Sequence, residues 1–180
     1  MIAETISLSA AGASSLLRTF PLPPGVPEGT LPEGPFVLAC PLAGWGSKQW
    51  PLDHYTELAR GLKLPLVVNG PPDALDILRQ IDGAHVHVSG IQGLIDATRR
   101  AQAIVGVDSG PVHLAAALGK PGVAIYGPTD PASHGPYGGT VHVLRSSTAI
   151  TSYKRRAADS GSMRAVTPCD VIEALGACQS

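Results

Sequence analysis

Val107-Asp108-Ser109-Gly110-Pro111-Val112-His113 is the segment of this sequence best equipped for chemistry. An apolar run ends there, and Pro111 suits the first position of a helix. Asp108 or Ser109 can act as the N-cap, and Gly110 lets a ligand approach the backbone. The unsatisfied N–H groups of a first helical turn, with the helix dipole behind them, make an anion site without any charged side chain. His113 sits in that turn and can donate to a phosphate oxygen. The same residues also read as an ordinary capped helix carrying a core histidine.

Pro41 to Pro51 follows an earlier apolar run and contains Gly44, Gly46, Ser47 and Lys48. Two glycines, a hydroxyl and one ammonium can cradle a phosphate, with Lys48 as the point charge. The spacing is not GxxxxGK[ST], so a P-loop is excluded. Tyr126 to Gly138 is a third polar segment, in which Thr129 and Asp130 can bind hydroxyls or phosphate or simply form turns. In Asn69–Asp73 and Ser89–Gly93, Asp73 can hold a ribose hydroxyl, and Ile91 and Gln92 can line a base pocket; plain loops are the competing reading. Lys154-Arg155-Arg156 reads as solvated surface. His54, His85, His87, His134 and His142 lack metal-ligand spacing with acidic partners, so no catalytic zinc is expected.

These segments need elements to hold them. The segments Phe36–Cys40, Leu66–Asn69, His85–Val88, Ala103–Val107, Gly122–Tyr126 and Val141–Leu144 predict six strands. Helical spacing predicts helices over 53–62, through Ala74, Ile77, Leu78 and Ile81, through Leu94, Ala97 and Ala101, and over 111–118. Gly119 stands where a C-terminal cap belongs, and Pro121 forbids continuation. Thr167, Pro168 and Asp170 open a last helix. Residues 1–20 are weakly helical. Strand–helix alternation predicts an α/β fold, a Rossmann-like doubly wound parallel sheet of about six strands. Ligands bind such sheets at the carboxyl ends of the strands, where all the polar loops above lie.

Composition narrows the function. The chain has 180 residues, with 44% hydrophobic and 15% charged, which describes one globular domain. A net charge of −1 supplies no field for nucleic acid or an anionic membrane. The three cysteines, Cys40, Cys169 and Cys178, have no CxxC spacing and read as free thiols in a reducing compartment. Neither a secretory signal nor a membrane span is expected, so the default is a cytoplasmic protein. Residues 21–35 are Pro/Gly-rich and read as an interdomain linker. Two regions follow: residues 1–35 as the end of a preceding domain with its linker, and residues 36–180 as a ligand-binding domain.

Gly44-Trp-Gly-Ser-Lys-Gln-Trp-Pro51, Val107 to Pro121 and Tyr126-Gly-Pro-Thr-Asp-Pro131 together resemble the C-terminal half of the heptosyltransferases, glycosyltransferase family 9. The order and spacing match over roughly 36–145. The resemblance implies a GT-B fold, in which this half binds a nucleotide-diphosphate sugar, typically ADP-heptose, and an N-terminal domain binds a lipopolysaccharide core acceptor. It implies a metal-independent, inverting transfer with no cofactor, by an enzyme that when complete lies peripherally at the inner membrane. By the same resemblance, Lys48 binds the phosphates and assists the leaving group. Asp108, Ser109, Gly110 and His113 form the diphosphate site, and Thr129 and Asp130 complete the sugar side.

Two departures follow from the resemblance. The family places a Glu near Asn69–Asp73 to hold the ribose, whereas Asp73 is the only acid there. The catalytic base belongs to an N-terminal domain, or a second chain, that these residues do not include. The alternative is a stand-alone, non-catalytic nucleotide-sugar-binding module. A sugar-nucleotide epimerase needs acids and histidines from both domains, and an NAD site lacks its GxGxxG.

Overall fold

The computed structural model describes residues 21–152 and 161–177. The helical signal over 1–20, the basic run 154–156 and Cys178 lie outside those residues. Six strands, β1 (Val37–Cys40), β2 (Leu66–Gly70), β3 (His85–Val88), β4 (Ala103–Val107), β5 (Gly122–Tyr126) and β6 (Val141–Arg145), form one sheet in the order β3-β2-β1-β4-β5-β6. Every pairing is parallel. Six α-helices accompany them: α1 (Leu52–Gly61), α2 (Leu75–Leu78), α3 (Ile91–Arg100), α4 (Gly110–Ala117), α5 (Pro131–His134) and α6 (Pro168–Ala177). The expected doubly wound sheet is therefore present, with all six strands.

Alternation along each central strand builds two cores. Val37 and Ala39 of β1, Leu66 and Val68 of β2, and Ala103, Val105 and Val107 of β4 pack on one face with α1 and α6 residues such as Tyr55, Leu58 and Leu175. Leu38 and Cys40, Val67, and Ile104 pack on the other with Leu94 and Ala97 of α3 and Val112 and Ala115 of α4. Because both faces are covered, the strands read as unbroken apolar runs. Each fully buried Val, Leu or Ile contributes about 1.5–3 kcal/mol. The order turns at β1 and β4, which are neighbours. Chain connections leave that pair in opposite directions, which opens a crevice beyond their carboxyl ends.

Local rules explain the helix ends. Gly119, at φ +66°, closes α4 in a Schellman motif, with Lys120 N–H donating to Ala115 O at 2.9 Å and Gly119 N–H to Ala116 O at 3.0 Å. Thr167 and Asp170 cap α6 reciprocally, Thr167 N–H donating to Asp170 Oδ2 at 2.7 Å and Asp170 N–H to Thr167 Oγ1 at 3.2 Å. The helix expected through Ala74–Ile81 is shorter than its periodicity suggests. After one turn its bonds tighten to the i→i−3 type, Gln80 N–H to Ile77 O and Ile81 N–H to Leu78 O, each 3.1 Å. Ile77, counted on its apolar face, is 43% exposed. The turn of helix at α5 has no apolar periodicity to announce it.

Gly106 of β4 lets α4 sit close to the sheet. A Cβ there would lie 2.5 Å from Val112 Cγ2. Gly106→Ala is expected to cost about 1–3 kcal/mol as α4 is pushed outward. Urea unfolding checks this, and an unchanged midpoint would show that α4 has room to spare.

The Pro/Gly-rich segment has neither helix nor strand and lies against α3 and β3. Arg99 Nη2 donates to Leu22 O at 3.0 Å and to Pro23 O at 3.1 Å, and Val26 N–H donates to Gln92 O at 3.2 Å. Among the described residues, no helix is long and apolar enough to cross a membrane.

Candidate functional site

β1 and β4 deliver Lys48 and Asp108 to the same crevice. After β1 the chain forms a 3-10 turn, Gly46–Lys48, and then meets Trp50, which is 1% exposed and donates from Nε1 to Val166 O at 2.8 Å. That anchor fixes the loop from which Lys48 reaches across to Asp108. Lys48 Nζ lies 2.5 Å from Asp108 Oδ2, with 16% and 9% of the two side chains exposed. The ammonium also lies 4.3 Å from the centroid of the Trp45 ring, a cation–π contact. An ammonium has three donors. Asp108 takes one, the ring covers another side, and a donor remains for a ligand.

Asp108 is the hub of the site. Thr129, 1% exposed, donates from Oγ1 to Asp108 Oδ2 at 2.7 Å. His113 Nε2 stands 3.9 Å from Asp108 Oδ1. Burial pushes the Asp108 carboxyl up, but the hydrogen bonds from Lys48 and Thr129 and the charges of Lys48 and His113 outweigh it and hold it below the usual carboxylate range. Tyr126, at the end of β5, donates to His134 O at 2.7 Å, and burial together with the nearby Asp108 charge pushes its phenol up.

The start of α4 is open. Ser109 is its N-cap residue but makes no capping bond; its hydroxyl donates instead to Val107 O at 3.2 Å. α4 has no acid in its first turn, and a Cβ at Gly110 would meet nothing within 4 Å. Each of the other described α-helices has an acid at its positive end. Asp53, Asp76 and Asp170 lie in the first turns of α1, α2 and α6, and Glu28 and Asp130 accept N–H bonds at α3 and α5. Pro111 has no N–H and Val112 N–H donates to Ser109 O at 3.2 Å, so an anion at α4 meets the helix dipole, Lys48 and the half-exposed His113 imidazole rather than a full turn of free N–H groups.

Beside this end lies a pocket of about 270 Å³, whose wall includes Cys40, Leu42, Asn69, Ser89, Ile91 and Pro111. Pro111, in the first turn of α4, lines the pocket, so the pocket borders the start of that helix. Its largely apolar wall suits a planar heterocycle. The Cys40 thiol is pushed up to about 12 by burial, so it stays protonated and unreactive at neutral pH.

The structure thus brings Lys48, Asp108, Ser109, Gly110, His113 and Thr129 together, with Ser47 beside them. Ser47 Oγ is buried without a hydrogen-bond partner. Asp130 is used locally, its Oδ1 accepting from Ala132 N–H at 3.0 Å to cap α5. Asp73 and Gln92 are exposed at the rim, and the pocket wall is formed by other residues. Trp45, Tyr126 and Asn69 lie inside the segments singled out in the sequence but carry site geometry that no role was read for, and Glu28 lies outside all of them. Asn69 had a weak signal, an amide at the end of an apolar strand; Glu28 had none. Among the described residues, no cluster of three or more His, Cys, Asp or Glu side chains is placed to hold a metal ion.

Comparison with known proteins bears on the family and the fold. The family model for glycosyltransferase family 9 (heptosyltransferase) matches residues 4–162. Lipopolysaccharide heptosyltransferase 1 of Escherichia coli K12 is 35% identical over 107 residues, covering 54% of this chain and 34% of that protein. Lipopolysaccharide heptosyltransferase 2 of the same strain is 31% identical over 163 residues, covering 81% of this chain and 47% of that protein. The solved structure of the E. coli ADP-heptose LPS heptosyltransferase II superimposes with a TM-score of 0.65 at 29% identity, over 80% of this chain and 46% of that one. This chain spans between a third and a half of the length of these relatives.

Proposed function

The chain belongs to glycosyltransferase family 9, and from that premise we propose that the domain from Phe36 onward binds the nucleotide-diphosphate sugar donor of a heptosyl transfer. ADP-heptose is the donor named for a structural relative at 29% identity, and it is the donor proposed here. The acceptor is a lipopolysaccharide core saccharide, bound by an N-terminal domain that also supplies the base for its hydroxyl.

One observation carries the reading. Lys48 is held at 2.5 Å to Asp108, two residues before the first residue of α4, and that helix start has no side-chain cap and borders a pocket of about 270 Å³. Glycosyl transfer expels a nucleoside diphosphate, so negative charge grows on the phosphates as the glycosidic bond breaks. Fixed positive groups aimed at that charge lower the barrier most when they need no rearrangement. Asp108 supplies the fixation. Thr129 acts through Asp108, not on the sugar directly, and His113 reaches the same phosphates from the first turn of α4.

Calorimetric titration with ADP, UDP and GDP tests the reading. Saturable binding of ADP is expected, weakened about tenfold (~1.4 kcal/mol) in Lys48→Ala and again in His113→Ala. Absence of binding at millimolar ADP, or full affinity in both variants, would sink it. Tight binding of ADP-heptose by a chain that transfers nothing even when joined to an acceptor domain would favour the non-catalytic module instead.

A further inference from the structure

Glu28 stands in the Pro/Gly-rich segment, remote in sequence from every motif. Its carboxylate closes the start of α3, Oε2 accepting from Gly90 N–H at 2.6 Å and Oε1 from Gly93 N–H at 3.2 Å. Its backbone carbonyl accepts from His87 Nε2 at 2.6 Å. With Nε2 donating, Nδ1 of His87 is left as an acceptor, and Asn69 Nδ2 donates to it at 3.0 Å. The same Asn69 amide reaches Ser89 Oγ at 2.9 Å. Asn69, Ser89, Gly90 and Ile91 are wall residues of the pocket beside α4. One residue of the segment therefore holds that wall from two directions.

The fit leaves no slack. A Cβ on Gly93 would lie 2.7 Å from Glu28 Cβ and 2.6 Å from Ser89 Cβ. Gly29, at φ +62°, turns the segment immediately after Glu28 in a conformation that favours glycine. The carboxylate also fills the positive end of α3, which leaves α4 as the helix end that receives a phosphate.

We propose that Glu28 is a positioning residue for the nucleoside pocket, fixing the first turn of α3 through Gly90 and Gly93 and the Asn69–Ser89 wall through His87. The inference rests on the nucleotide-sugar reading above. It makes the segment read as an interdomain linker a structural part of donor binding, so whatever pulls on that segment alters the pocket.

The test is calorimetry of the 180-residue chain with ADP and, separately, with inorganic pyrophosphate. Pyrophosphate needs only Lys48, His113 and α4, so it reports the anion site alone. Glu28→Ala is expected to weaken ADP about tenfold or more while pyrophosphate stays within about twofold of wild type. Glu28→Gln keeps one acceptor for Gly90 N–H and is expected to recover part of the loss. Arg99→Ala frees the segment at Leu22 and Pro23 without touching the pocket, and its ADP affinity is expected to stay at the wild-type level even if its melting temperature falls.

The proposal is overturned by wild-type ADP affinity in Glu28→Ala, by an equal loss for pyrophosphate, or by an equal loss in Arg99→Ala. Should Glu28→Ala fail to fold, Glu28→Gln decides: a loss of about threefold or more confined to ADP supports the proposal, and a smaller one overturns it. A wild-type chain that binds neither probe overturns the nucleotide-sugar reading itself, a result separate from any of these.

Discussion

Asp108→Ala is expected to cost the folded chain about 3 kcal/mol, the low end for breaking a buried ion pair by removing one partner. The variant leaves the Lys48 ammonium, 16% exposed, without its counter-ion. It also leaves the Thr129 hydroxyl, 1% exposed, without its acceptor. Lys48 can swing part of the way to solvent, which keeps the cost from rising further. Lys48→Met strands the carboxylate instead. The double variant Lys48→Met/Asp108→Ala strands neither, so it should be more stable than the sum of the single losses implies. Urea unfolding of the four proteins completes the cycle, and additive losses would show that the two groups are not coupled. pH gives a second handle. The Asp108 carboxyl titrates lower in the folded chain than in the unfolded one, so its stabilisation is present in full above the unfolded value of about 4. It is lost as pH falls through the folded value. The stability gap between wild type and Asp108→Ala should therefore narrow on going from neutral pH to below pH 4. A gap that stays constant down to that range would remove the ion pair as its cause.

The role of Asp108 marks the boundary of what the sequence discloses. Its position at a strand–helix junction was legible, because the apolar run Ala103–Val107 and Pro111 fix where the strand ends and the helix starts. The four central strands were legible for the same reason: residues buried on both faces must be apolar without interruption. The edge strands β3 and β6 are only partly buried and were legible from their β-branched residues. What Asp108 touches was not legible. Lys48 is 60 positions away and Thr129 is 21, and no local spacing encodes such pairs. Thr129 and Asp130 look equivalent in sequence, as adjacent polar residues of one loop. Tertiary contact separates them: Thr129 turns inward to Asp108, whereas Asp130 is spent on the first turn of α5. Glu28 is the extreme case. A lone acid among prolines and glycines carries no pattern, and its two N–H partners lie more than 60 residues on.

Trp50→Ala is expected to remove about 3–5 kcal/mol of stability, a large share of the 5–15 kcal/mol that holds a domain of this kind together. The ring is 1% exposed and packs edge-on against Tyr55 and His54, with centroids 4.8 Å and 5.1 Å away. Truncation opens a cavity in the core shared by β1, α1 and α6, and it leaves Val166 O without its donor. Trp50→Phe fills most of the space and loses only the hydrogen bond, for which about 1–2 kcal/mol is expected. Urea unfolding measures both, and a Trp50→Ala loss under about 1 kcal/mol would mean that the core closes over the gap. The consequence for the site follows from position. Trp50 lies two residues after Lys48 and ties that loop to the approach to α6. In Trp50→Ala the 3-10 turn that aims Lys48 loses its anchor, so ADP affinity should fall with stability even at temperatures where the chain remains folded. In Trp50→Phe the ring still holds the turn, so stability should fall while ADP affinity stays. A Trp50→Phe chain that loses both in proportion would place the anchor in the bond to Val166, and not in the packing of the ring.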